Sequence, residues 1–252
     1  MIMKSCERRL KNFHLVPQSG QEVTDQLGGR REKMSNDNKF LSVSLVTHMG
    51  GDLTVVNAAR VSFGKHKDSF EPRPDTKLIN YLAKNEHWSP FGHCSAQFHI
   101  KAPVFVARQL VKHQIGLTWN EVSRRYVDDE PEFFEPDVWR GKADDKKQGS
   151  SDESININPR NDMVNDYQQV MMTAKWTYEE LLRKGVCPEQ ARMVLPQSMI
   201  TEWYWSGTLY AFARVCNLRC KSDAQEETRV IANKIDLYMT KLFPASWGAL
   251  ID

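Results

Sequence analysis

The chain has 252 residues and a mass of 29.1 kDa, enough for one generous domain with its own core and too large to depend on staples. Its 34 basic and 32 acidic residues leave a formal net charge of +2, which excludes a global field for nucleic acid or membrane, so any anion must be held by a local cluster. Five cysteines, an odd number, point to reduced thiols in a cytoplasmic compartment, and neither a signal peptide nor an apolar run near the roughly twenty residues of a membrane span is apparent.

Residues 1–38 are polar, charged and without sustained periodicity, the pattern of a loosely attached extension, and the folded domain is expected over 39–252. From Leu41, LSVSLVTHMGGDLTVVNAAR alternates and breaks at Gly50-Gly51, which predicts a strand, a turn and a short helix reaching Arg60. TKLINYLAKNEH then reads as a helix. In SAQFHIK, apolar Ala96, Phe98 and Ile100 alternate with Ser95, Gln97, His99 and Lys101, as in a half-buried strand. Pro103 suits the first turn of a helix with an apolar stripe of Val104, Ala107, Leu110, Val111 and Ile115 and a stop at Gly116. TWNEVSRRY follows as a loop or turn, and residues 141–160 read as a polar loop. Four helical stretches come last: NDYQQVMMTAKWTYEELLRKG with Gly185 as its stop, PEQARMVLP, the aromatic-rich WYWSGTLYAFARVCNLR, and AQEETRVIANKIDLYMTKLF. Strands early and helices late predict an α+β fold with helices packed on one sheet.

The helix after Pro103 places Arg108, Gln109, Lys112 and His113 on the face opposite its apolar stripe, and Asn120, Glu121, Ser123 and Arg125 can converge on the same space. Cations interleaved with hydroxyls and amides suit a phosphate, and a carboxylate among them can hold a ribose hydroxyl. The alternative is a solvated helix face with ordinary ion pairs; the density of amides and hydroxyls between the charges favours a ligand. Two further readings compete. His87, His93, His99 and His113 with Cys94 and Glu121 could form a metal site for a hydrolase, but without any paired spacing such as H-E-x-x-H or C-x-x-C. Arg108, Lys112, Arg124 and Arg125 with Trp119 and Tyr126 could bind single-stranded nucleic acid, but without a wider basic stripe. Ser123 has no adjacent base and reads as a ligand-binding hydroxyl rather than a nucleophile, and none of the cysteines has a catalytic context.

HWSPFGH (87–93), KAPVFVARQLVKHQ (101–114), NEVSRRY (120–126), ARMVLP (191–196) and NLRCKSDAQ (217–225) resemble, in order and spacing, the flavin-dependent thymidylate synthases, the ThyX family. The family signature is R-H-R, a short spacer and S-x-N-E-x-S-x-R-Y. Here it stands as Lys112-His113-Gln114, a spacer one residue longer, then Thr118, Asn120, Glu121, Ser123, Arg125 and Tyr126. The resemblance implies a ThyX-type α+β fold, with a central, mostly antiparallel sheet flanked by helices and a helix-rich C-terminal half. It implies reductive methylation of dUMP to dTMP, with methylenetetrahydrofolate as carbon donor and NADPH-reduced FAD as reductant. It also implies a homotetramer whose active sites draw on several subunits, with no metal. By the same resemblance dUMP falls to Gln109, Lys112, Glu121, Ser123, Arg124, Arg125, Arg192 and Arg219, with Arg219 as the catalytic residue that polarises N3 of the uracil. FAD falls to His87, Ser89, Lys112, His113, Gln114, Glu121, Thr208, Tyr210 and Arg214. Lys112 and Gln114 replace the family's two arginines, while Thr208 and Arg214 stand where asparagines are usual, Arg214 returning a cation. Asp223 takes the place of a frequent histidine.

Overall fold

The computed structural model describes residues 39–143, 150–155 and 162–251; the expected extension over 1–38 and part of the expected loop over 141–160 lie outside these. In chain order the elements are β1 Ser42–Met49, α1 Asp52–Arg60, α2 Pro72–Lys84, β2 Ser95–Pro103, α3 Val104–Leu110, β3 Leu117–Glu121, β4 Arg140–Lys142 and β5 Ser150–Ser154. They continue with α4 Asp162–Arg183, α5 Pro188–Ala191, β6 Ile200–Thr208, α6 Leu209–Arg219, α7 Glu226–Leu242 and α8 Pro244–Leu250. The fold is α+β, with a four-stranded, wholly antiparallel sheet in the order β1-β2-β6-β3. Among the described residues no helix is long and apolar enough to cross a membrane.

The alternation in β2 decides which way the sheet faces. Ala96, Phe98, Ile100 and Ala102 are buried, and their neighbours on β6, Trp203 and Trp205, join them in one core. Phe98 meets Phe212 of α6 edge to face at 5.1 Å, and Trp119 of β3 stacks on Trp203 at 4.4 Å; each such pair contributes about 0.5–1.5 kcal/mol beyond its buried area. The other face is polar: Gln97 donates to Ser206 at 2.8 Å and His99 lies 3.0 Å from Glu202. A single apolar face is what an antiparallel sheet covered by helices on one side requires.

Four expectations need correction. WYWSGT is not helical but forms most of β6: Trp203, Trp205 and Gly207 are buried while Glu202, Tyr204 and Ser206 are not, a period of two. Helix α6 begins only at Leu209, after Thr208 caps it by accepting from Ala211 N–H at 3.2 Å. The helix from Pro103 stops at Leu110 rather than reaching Gly116, so Ile115 is 74 % exposed instead of extending an apolar stripe. The chain turns there because it must return as β3, which pairs with β6 and replaces the first four residues, Thr118–Glu121, of the loop or turn expected over TWNEVSRRY. Finally, the polar stretch over 141–160 carries strand pairing, β4 against β5.

Candidate active site

Helix α6 is the backbone of the site. Leu209, Ala211, Phe212, Ala213, Val215 and Cys216 are buried, whereas Tyr210, Arg214 and Leu218, spaced by four, form a stripe that is not. At its start, Thr208 N–H donates to Gly116 O at 3.1 Å, which brings the turn after Gln114 against the helix N-terminus. Gly116 has φ +75°, and a Cβ there would lie 3.1 Å from Ala211 Cβ and 3.2 Å from Thr208 Oγ1, so both the backbone angle and the close approach call for glycine. The 3-10 turn Ser89–His93 packs on the same end. Its cap residue Trp88 lies 6.4 Å from the Tyr210 ring, and the neighbouring His87 meets Tyr81 edge to face at 6.0 Å. His87, Ser89, Thr208 and Tyr210, expected on the flavin, therefore flank one helix end, with Gln114 on the turn that packs there.

At the other end of α6, Arg219 Nε donates to His113 Nε2 at 3.1 Å. Burial, the Arg219 guanidinium and that of Arg214 all push the His113 pKa below its usual range, so the ring is neutral and able to accept. A cleft of about 730 Å³ opens beside this pair, lined by Arg108, Gln109, Lys112, Arg140, Arg219 and Gln225 among others. Lys112 and Arg108 are exposed there; Gln109 is half-buried and held by Gln225 and by Thr228 Oγ1, the latter donating at 3.3 Å.

The remaining predicted residues sit elsewhere in the chain. Leu117 opposes Gly207 and Glu121 opposes Trp203, so β3 carries Glu121 roughly 13 Å along the sheet from its first residue. There Glu121 accepts from Thr201 Oγ1 at 2.8 Å and from Trp119 Nε1 at 3.2 Å. Arg125 Nε donates to Ser123 Oγ at 3.2 Å with its guanidinium over the Tyr126 ring, and Arg124 reaches Asp129 O. Arg192 is exposed on a 3-10 turn and donates to Glu189 O at 3.3 Å. None of these lines the cleft of Gln109 and Arg219. Of the residues expected to converge, the cleft brings together Arg108, Gln109 and Lys112, while Asn120, Glu121, Ser123 and Arg125 do not line it.

Sequence reasoning passed over Arg140, Gln225, Glu227 and Thr228. Gln225 closes the segment NLRCKSDAQ and Arg140 precedes the polar stretch over 141–160, and neither carries a motif of its own. Among the described residues no three of His, Cys, Asp and Glu gather as a metal site, which leaves the metal alternative without a ligand set there.

Comparison with known proteins bears on this geometry. The sequence profile described as thymidylate synthase complementing protein matches residues 44–245. Flavin-dependent thymidylate synthases from Thermus thermophilus and Kosmotoga olearia are 38% and 37% identical over 207 and 213 residues. The matches cover 82% and 83% of this chain and 74% and 90% of those proteins. In structure, the UMP/dUMP methylase PolB from Streptomyces cacaoi bound with 5-Br dUMP superposes with a TM-score of 0.73 at 29% identity, covering 83% of this chain and 94% of that one. A profile spanning most of the chain, relatives of this identity and a shared fold agree: the chain belongs to the flavin-dependent thymidylate synthase, or ThyX, family.

Proposed function

We propose that this protein methylates dUMP reductively to dTMP, taking the carbon from methylenetetrahydrofolate and the electrons from NADPH by way of FAD. The observation that carries the reading is the pairing of Arg219 with a neutral His113 at the edge of a cleft that also presents Gln109 and Lys112. A guanidinium held by its Nε can face the pyrimidine edge of a bound uracil and stabilise negative charge at N3 and its neighbouring carbonyl, which favours nucleophilic C5. Gln109 and Lys112 hold the nucleotide beside it.

The donor set of the α6 stripe fits a flavin dinucleotide. Arg214 and Lys112 provide cations for a diphosphate, Tyr210 and Trp88 an aromatic flank, and the close approach at Gly116 keeps side chains out of the turn. His87, Ser89, Gln114 and Thr208 stand around the same end. FAD, when bound, supplies the redox chemistry; the chain binds, orients and polarises.

Glu121, Ser123, Arg124, Arg125 and Arg192 are assigned to a cleft completed by another copy in a homotetramer. Their absence from the lining of the Arg219 cleft supports this, and Glu121 would then serve both the nucleotide and the flavin. The four described cysteines are free, in keeping with a cytoplasmic enzyme. The absorption spectrum of the purified protein tests the reading: flavin bands are expected, bleached by NADPH in the presence of dUMP. Protein that takes up no flavin when supplied with FAD would contradict it.

A further inference from the structure

A side-chain amide has an acceptor end and a donor end, and a ligand site needs one of them facing inward. Both ends of Gln109 are engaged by neighbouring side chains, one of which, Gln225, lines the cleft with it. Its Nε2 donates to Gln225 Oε1, and Thr228 Oγ1 donates to its Oε1 at 3.3 Å. Gln225 Nε2 in turn donates to Glu227 Oε2 at 3.0 Å, while Arg140 Nη2 donates to Glu227 Oε1 at 2.7 Å. An ionised carboxylate accepts and never donates. The amide next to it must therefore present its NH2 to the carboxylate and turn its oxygen the other way. That oxygen can only accept, so the next amide must also present its NH2. Polarity passes from Glu227 through Gln225 to Gln109 with no choice at either step.

We propose that Glu227 is a positioning residue for nucleotide binding, acting through Gln225 to fix the Gln109 amide so that its remaining N–H is available to the ligand. The inference rests on the reading of the cleft as the dUMP site. Glu227 is 6 % exposed and lies in the first turn of α7, where the helix dipole favours a carboxylate. Arg140 supplies the counter-charge that a buried carboxylate requires. It is itself fixed by Glu226 at 3.2 Å and by donating from Nε to Ser150 Oγ at 2.8 Å. Without the carboxylate, the two amides can reverse together at little cost, and the reversed Gln109 turns an acceptor toward an acceptor-rich nucleotide.

The test is dUMP affinity by calorimetry on the FAD-loaded protein. Glu227→Gln keeps the shape but can donate as well as accept, and is expected to weaken dUMP binding about tenfold while flavin content stays unchanged. Gln225→Leu breaks the relay and leaves the Arg140–Glu227 pair in place; it is expected to lose about as much and carries the test if Glu227→Gln does not fold. In a Gln109→Ala background, Glu227→Gln should cost nothing further, because its route of action is gone. Unchanged affinity in the folded single variants, or a fully additive loss in the double variant, overturns the proposal. Failure of the unaltered protein to bind dUMP would instead overturn the reading of the cleft, and the proposal with it.

Discussion

Arg219 and His113, 106 positions apart in sequence, are joined by one hydrogen bond in which the arginine Nε donates to the histidine Nε2 at 3.1 Å. The accepting nitrogen cannot carry a proton, so the imidazole is neutral and protonated on Nδ1. Burial, then Arg219, then Arg214 lower its pKa, and each cause acts in the direction that preserves the bond.

That direction sets a pH dependence. A folded-state pKa below the ordinary value of about 6.5 means that the unfolded chain takes up the proton more readily. The resulting loss of stability is absent well above that value, begins as pH falls through it, and is complete below the lowered folded pKa. Thermal unfolding across this range should fall more steeply with acid in the parent than in His113→Gln. Parallel curves would show that the histidine is not held neutral by its surroundings.

Lys112 is exposed at the cleft, so Lys112→Glu should change stability by no more than about 0.5 kcal/mol. It should nonetheless lower the flavin-to-protein ratio after gel filtration, since a carboxylate adds repulsion to a bound diphosphate. Gln114→Arg, which returns the family's cation, should hold that ratio at or above the parent value. An unchanged ratio in Lys112→Glu would remove this face from the cofactor site.

Gly116→Ala should cost about 1–3 kcal/mol, the penalty for a side chain in the left-handed region with neighbours already in contact. Its Tm should drop by several degrees, with flavin content falling because the turn positions Gln114 against α6. A Tm equal to the parent's would mean that the turn relaxes freely.

Arg125→Ala and Arg192→Ala should each weaken dUMP binding by about 2–5 kcal/mol, the range for truncating one side of a buried charged pair, although both arginines are exposed in the single chain. If the site is shared between subunits, mixing and reassembling inactive Arg192→Ala and Arg219→Ala proteins should restore part of the activity, because some sites then receive both arginines intact. A mixture as inactive as its parts would place both residues in one subunit's site.

Much of this was legible from local pattern. The alternation of Ala96, Phe98 and Ile100 specifies a half-buried strand whatever surrounds it, and Gly50 and Gly185, both at positive φ, mark a turn and a helix end. Trp203 to Thr208 was not legible, because a short aromatic strand running directly into a helix offers no break in hydrophobicity; Thr208, a capping residue, was the available signal. The end of α3 at Leu110 is dictated by the pairing of β3 with β6, a long-range event that the stripe through Ile115 does not register. The relay from Glu227 to Gln109 joins residues about 120 positions apart, and only the packing of α3 against α7 brings them together. Motifs could name Gln109 and Arg219, but not what holds them.

The most direct test of the account is dTMP formation by the FAD-loaded protein given dUMP, methylenetetrahydrofolate and NADPH, measured beside Arg219→Ala. The parent should form dTMP, and the variant, folded and still carrying flavin, should be slower by about a hundredfold to a thousandfold, the cost of removing one preorganised charge from a reacting centre. Absence of dTMP from the loaded parent protein, or near-parent turnover in Arg219→Ala, would contradict it.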